Sequence, residues 1–264
     1  MNSRNSLSVS IITRNEEEDL PDCLRSVSFA DEIVIVDSGS TDRTEEIAGE
    51  FGARWFVEEW KGYGPQKNST LDKCTHDWVL MIDADERIPA ETAQEIEKIL
   101  SGSGEADAYS FRRKNFFHGK WIRCADWWPD DVIRLVRKSK GRYEGLTHEK
   151  WVTCGESVKL PCVIEHFSYR SYAEMFERLN LYSGQLAETL LSRGKRGSPT
   201  GAVLHSIWMF IRNYFLRRGF LAGFDGFVIS LTKALGTFLK HAKLYELEKH
   251  RSESLEEGRR SVQK

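Results

Sequence analysis

Hydrophobic and polar positions along the chain follow two regimes. Through residue 100, short apolar runs alternate with stretches of helical spacing. Leu7–Thr13 is a β-branched apolar run that predicts a first buried strand. Residues 14–19 break it, and Leu20, Cys23, Leu24 and Val27 follow at helical spacing. Glu32–Asp37 predicts a second buried strand ending on a carboxylate. The turn 38–42 places Thr41 or Asp42 to cap a helix over residues 43–51. Arg54–Val57 predicts a third strand, residues 61–68 a loop with a helix beginning near Pro65, and residues 78–82 a fourth strand. This alternation predicts an α/β, doubly wound, largely parallel sheet.

After the Ser101-Gly102-Ser103-Gly104 turn the pattern changes. Residues 108–113 and 132–136 read as strands of an antiparallel or mixed half. Between them lie Phe116, Phe117, Trp121, Trp127 and Trp128, interleaved with Gly, Lys, Pro and Asp. The reading divides evenly between a buried core and an open cleft whose rings pack on sugar C–H faces. Beyond His166 the chain reads as helical: residues 172–191, then 202–218 and 224–240, then a charged tail over 246–264 expected to fray. The last two apolar helices suit either a core or a membrane interface. In the interfacial reading, Arg212, Arg217 and Arg218 meet anionic lipid.

Composition narrows the field. The 264 residues, 40% hydrophobic, suffice for one sizeable core or a core with an appendage. A net charge of −2 gives no global basic field for nucleic acid. Locally, residues 193–240 hold eight Lys and Arg against one carboxylate, Asp225. Five cysteines with no Cys-x-x-Cys pair argue against a zinc site or disulfide framework and for a reducing cytosol. Polar residues 1–6 lead straight into a strand, so no signal peptide is expected. No uncharged apolar stretch is long enough to span a bilayer, and no internal repeat is present.

The candidate chemistry is concentrated at residues 77–86. The apolar run ends on Asp83, Asp85 and Glu86, where ligands of open α/β sheets bind. Carboxylates crowded in this way repel unless a cation or protons neutralise them, and oxygen donors suit Mg²⁺ or Mn²⁺, which can then hold a diphosphate. The competing reading is an acidic loop ahead of a helix begun at Pro89. A haloacid-dehalogenase-type phosphatase also carries Asp-x-Asp after a strand, but on its first strand, and with Thr or Val where Arg87 stands. A non-catalytic scaffold on a membrane surface is the third possibility.

Three ordered motifs then converge on one family. Residues 9–16 (Val-Ser-Ile-Ile-Thr-Arg-Asn-Glu), 33–42 (Ile-Val-Ile-Val-Asp-Ser-Gly-Ser-Thr-Asp) and 83–86 (Asp-Ala-Asp-Glu) resemble the inverting glycosyltransferases of family 2, which have the GT-A fold. Trp128-Pro129-Asp130, Ile133-Arg134-Leu135, Leu146-Thr147-His148-Glu149, residues 166–171 and Arg218-Gly219-Phe220-Leu221 are similar to the bacterial lipopolysaccharide inner-core glucosyltransferases. Ala222 departs from the Phe-Leu-Asp-Gly of that subgroup.

The resemblance implies a Rossmann-like GT-A domain over residues 1–170 and a helical, membrane-associating region over 171–264. It implies that Thr13, Arg14, Asn15, Glu16, Asp37, Ser40 and Asp42 line the nucleoside. Gln66 and Lys67 belong to a loop over the diphosphate, and Asp83 approaches the ribose or the metal. Asp85 holds Mg²⁺ or Mn²⁺, with His148 a further candidate ligand. Glu149 is the general base of a single displacement, with Asp130 and Asp131 as alternatives. Trp128, Asp130, His166 and Arg170 are candidates for the acceptor or diphosphate. The expected reaction moves a hexose, glucose from UDP-glucose, onto a heptose of a lipid-linked lipopolysaccharide precursor. The enzyme is expected in the cytoplasm, peripheral on the inner face of the bacterial inner membrane.

Overall fold

The computed structural model describes residues 4–102, 106–145, 149–153 and 155–262, with side chains to residue 251. In chain order the elements are β1 (Leu7–Thr13), α1 (Leu20–Ser26), β2 (Glu32–Asp37), α2 (Thr44–Glu50), β3 (Arg54–Val57), α3 (Tyr63–Lys73), β4 (Trp78–Asp83), β5 (Glu86–Arg87) and α4 (Ala90–Ser101). There follow β6 (Ala108–Phe117), β7 (Lys120–Trp121), β8 (Asp131–Arg137), β9 (Gly141–Glu144), β10 (Lys150–Thr153), β11 (Ser157–Tyr169), α5 (Tyr172–Ser192), α6 (Pro199–Ile211) and α7 (Gly223–Val262).

The chain forms two compact units: residues 1–116 with 129–168, and residues 117–128 with 169–264. In the first unit the sheet order is β3-β2-β1-β4-β8-β6-β11-β5. The strands β1 to β4 pair in parallel, whereas β8 runs antiparallel to β4 and β6. The predicted doubly wound half and mixed half are therefore both present. The unbroken apolar run of β4 follows from burial on both faces. Trp78, Leu80 and Ile82 pack with Leu7, Val9, Ile11, Leu20 and Leu24 on one side. Val79 and Met81 pack with Leu71, Tyr143 and Trp151 on the other. Register sets Asp37 beside Thr13 and Asp83 beside Ile12, so three strand ends present their polar residues along one sheet edge.

Residues 61–68, expected as a loop with a helix starting near Pro65, lie largely inside α3. Pro65 falls within the first turn, where its missing N–H costs nothing. The strand expected over 108–113 runs on through Phe117.

In the second unit α7 packs on α5 and α6. Ser171 caps α5 by accepting from the Glu174 N–H, and Glu174 in turn accepts from the Arg170 N–H at 2.8 Å. Phe117 joins Met175, Val228 and Ile229 in this unit's core, as the core reading expected, while the half-buried Trp127 packs against it. Asp225, at the start of α7, accepts from Tyr172 at 2.6 Å and lies 3.0 Å from His118 Nδ1. That hydrogen bond pushes the Tyr172 hydroxyl up to about 12. α6 gives way to a π-turn over Arg212–Leu216 and a 3-10 turn over Gly219–Ala222, with Arg218 between them at φ 56°. The tail expected to fray continues α7 to Val262. The segment Gly219–Arg251 is long and apolar enough to cross a membrane by length and composition, although 44% of its apolar window is buried within the fold.

Candidate functional site

Two turns at the ends of β1 and β2 are stitched together. Asp37 is 1% exposed. Its carboxylate accepts from Gly39 N and Ser40 N at 2.7 Å each, from Ser40 Oγ, and from Thr13 Oγ1 at 3.0 Å. This carboxylate, expected to face the nucleoside, also holds its own turn and the end of β1 in place. Asn15, at φ 56°, donates its N–H to Ser40 Oγ and accepts from Thr41 N, each at 2.8 Å. Glu16 N donates to Thr44 Oγ1 at 2.8 Å and Glu17 N to Asp42 Oδ2 at 3.1 Å. Asp42 also accepts from Thr44 N at 3.1 Å, although the N-cap of α2 is Arg43, one residue later than expected and without a side-chain cap. Arg14 is exposed beside these turns.

Gln66 and Lys67 are buried in α3 rather than placed on a loop. Gln66 Oε1 accepts from Lys61 N at 3.3 Å, and its amide reaches Ser38 Oγ at 3.4 Å. Lys67 Nζ lies 3.0 Å from Asp83 Oδ1 and 2.8 Å from Glu149 Oε1. The other Asp83 oxygen pairs with Arg134 Nη2. That guanidinium also lies 2.6 Å from Glu86 Oε1, whose carboxylate is fully buried and accepts from Asp83 N at 3.1 Å. Arg113 completes the chain of charges, 3.3 Å from Glu86 and 2.8 Å from Asp130. Asp130 further accepts from Asn115 at 3.1 Å, while Asp131 pairs with Arg112 and Lys159.

These neighbours set the charge states. Burial works to raise the Asp83 carboxyl, but Arg134 and Lys67 outweigh it and hold the group well below the usual carboxylate range. Burial opposes the Lys67 charge, and Asp83 and Glu149 hold its pKa above the ordinary value against burial and Arg134. Arg134 is likewise held far above its ordinary value by Asp83 and Glu86, against burial.

Arg113, Asn115 and Arg134 were not among the site residues expected from sequence, and Glu86 of the acidic motif serves as their buried counter-charge. Arg134 carried a usable signal, a lone charge in the apolar strand 132–136, because a buried arginine requires partners.

At the other end of the acidic motif, His166 Nε2 lies 3.4 Å from Asp85 Oδ2. Asn115 donates its amide to Asp130, so it presents its carbonyl oxygen to His166 Nδ1 at 2.6 Å. Nδ1 therefore donates to Asn115, with Ser168 Oγ also 2.9 Å away, and Nε2 faces the Asp85 carboxylate, a nitrogen and an oxygen donor that would suit a divalent cation. No three His, Cys, Asp or Glu side chains form a complete metal cage among the described residues. His148 lies outside the described residues. Trp128 and Arg170 belong to the second unit, where Trp128 meets Trp121 edge to face at 4.8 Å.

Residues 8–154 match the profile of Glycosyl transferase family 2. The chain belongs to this family. The mixed sheet with parallel β1 to β4 is its GT-A fold, and the chain is a glycosyltransferase. An uncharacterized glycosyltransferase of Rickettsia typhi is 34% identical over 91% of this chain and 87% of its own. The lipopolysaccharide core biosynthesis glycosyltransferase LpsC of Rhizobium meliloti is 32% identical over 91% of this chain and 92% of its own. Among solved structures, S. aureus TarS 1–349 in complex with UDP-GlcNAc superposes with a TM-score of 0.45, at 14% identity over 93% of this chain and 92% of that one. Neither the phosphatase nor the scaffold alternative gains support.

Proposed function

We propose that this family 2 glycosyltransferase moves a hexose, glucose from UDP-glucose, onto a heptose of the lipopolysaccharide inner core, with inversion. The observation that carries the reading is the likeness to LpsC, which continues far beyond residue 154 and so includes the helical region. The stitched turns of Thr13–Glu16 and Ser40–Asp42, held in shape by Asp37, receive the nucleoside. Asp83, fixed by Lys67 and Arg134, faces the ribose. Asp85, with His166 beside it, would hold Mg²⁺ or Mn²⁺, which neutralises charge on the departing diphosphate. Glu149 takes the proton of the acceptor hydroxyl, and one such base suffices for a single displacement. Trp128 and Arg170 are proposed for the acceptor.

The acceptor is lipid-linked in this reading, so the enzyme works at the cytoplasmic face of the inner membrane. Support comes from the second unit, where Trp208, Phe215, Leu216, Phe220, Leu221 and Phe224 are exposed, from 47% at Phe220 to 70% at Phe224. Such a cluster suits a bilayer interface. Arg212 and Arg217, expected to meet lipid, both pair with Asp126, at 2.6 and 3.1 Å. The apolar side chains, rather than those two cations, make the larger contribution to docking.

A screen of nucleotide sugars against a lipopolysaccharide precursor, read by product mass and linkage, tests the proposal. Transfer of glucose to heptose is the expected result. Transfer only from another donor, or only to a non-heptose acceptor, overturns the corresponding half.

A further inference from the structure

We propose that Lys67 is the positioning residue of the acceptor side, fixing Glu149 against the donor-side strand β4; this rests on the reading of Glu149 as the proton acceptor. A lysine near a nucleotide-sugar site is usually assigned to the diphosphate, but here the geometry assigns it elsewhere. Its side chain is 2% exposed. The ammonium has three hydrogens. Asp83 at 3.0 Å and Glu149 at 2.8 Å each receive one, and the Tyr143 ring faces it at 5.6 Å. To reach a phosphate, the ammonium must withdraw from Glu149, which costs a buried ion pair, or from Asp83, which keeps Arg134.

Glu149 needs such an anchor because it sits between β9 and β10, outside the main sheet. Helix α3 also holds Gly145 and the end of β9. Gly64 N donates to Gly145 O at 3.2 Å. Asn68 and Tyr143 exchange two hydrogen bonds, with Asn68 Nδ2 donating to Tyr143 O at 2.8 Å and Tyr143 N donating to Asn68 Oδ1 at 2.9 Å. Residues 64, 67 and 68 lie on adjacent turns of one helix face and hold residues 145, 149 and 143 in turn. Lys67 alone among these also reaches β4, so it sets the distance between the proton acceptor and the strand that carries the metal-side carboxylates.

The test compares Lys67→Met, Lys67→Arg, Glu149→Gln and the Lys67→Met/Glu149→Gln pair in the full chain. It uses kcat, donor KM, UDP affinity by calorimetry with Mn²⁺, and a thermal melt. A base displaced by about 1 Å costs on the order of 10²-fold in rate, so Lys67→Met is expected to lower kcat by about that factor. Donor KM and UDP affinity change by no more than about threefold, because Arg134 still holds the Asp83 that faces the ribose. The double variant is expected to be no slower than Glu149→Gln alone, since Lys67 acts through the residue already lost. Lys67→Arg keeps the charge and recovers part of kcat. A tenfold or larger rise in donor KM with kcat intact, or losses that multiply in the double variant, overturns the proposal in favour of a diphosphate clamp. If Lys67→Met does not fold, the same split is read from Lys67→Arg, whose longer fork displaces Glu149 without touching the donor. Transfer that survives in Glu149→Gln instead refutes the base reading itself, a separate outcome.

Discussion

Arg134 shows how single residues decide this site. It stands between Ile133 and Leu135 in an apolar strand and is buried, held by Asp83 and Glu86. Removing it leaves the fully buried Glu86 with Arg113 at 3.3 Å as its remaining guanidinium. Arg134→Met is therefore expected to destabilise the fold by about 3–5 kcal/mol, read from chemical denaturation. Asp85→Asn should leave the melt nearly unchanged but lower transfer by about 10²–10³-fold, with EDTA giving the same loss in the parent enzyme. Full activity in excess chelator would remove the metal from the mechanism. The acidic motif itself was legible, because an apolar run stopping on three carboxylates marks a strand end where like charges must be neutralised. Its cationic partners were not, since Lys67, Arg113 and Arg134 meet it only through helix docking and sheet pairing between segments well apart in the chain.

At the scale of elements, the parallel half could be read from its periodicity and the rest only in part. β1, β2 and β3 have the bounds expected from the apolar runs. The start of α3 was obscured by Gly64 and Pro65, two residues that normally punctuate loops. Gly64 has a use that sequence does not reveal: a Cβ there would lie 2.3 Å from Gly145 O. Gly64→Ala is expected to push Gly145 off α3 and lower kcat more than donor KM, in steady-state assays. The apolar turns after α6 give another prediction. Phe220, Leu221 and Phe224 changed together to Ser should weaken vesicle flotation by at least about tenfold, given roughly 1.5–3 kcal/mol for each large side chain fully removed from water. Hydrolysis of the donor in solution should hardly change. Unaltered flotation by the folded triple variant would contradict apolar docking.

For the whole molecule, local pattern could not reveal that residues 117–128 gather with a helical unit far along the chain. Periodicity reports neighbours within one element, whereas Phe117 meets Val228 and Ile229 only through tertiary packing. Stability against acid is another property of the assembled chain. Glu32 is drawn down from 4.5 to about 2: burial raises it, but hydrogen bonds from Ser8, Thr75 and Arg54 prevail. Glu58 falls to about 2 through Lys73, Lys61 and Ser69. Both carboxyls bind protons more readily when unfolded, so their stabilisation is complete above about 4.5 and lost as pH falls towards 2. Denaturation midpoints should decline over that window, and Glu32→Gln should make the decline shallower.

Arg218 holds a left-handed backbone, φ 56° and ψ 33°, a conformation that glycine adopts freely and arginine does not. The strain is of the order of 1–2 kcal/mol. Arg218→Gly should thus relieve the turn and raise the melting temperature by a few degrees. The same change removes a cation that neighbours the apolar turns, so binding to anionic vesicles should fall. Opposite signs in the two measurements would separate the backbone strain at Arg218 from what its side chain contributes at an anionic surface.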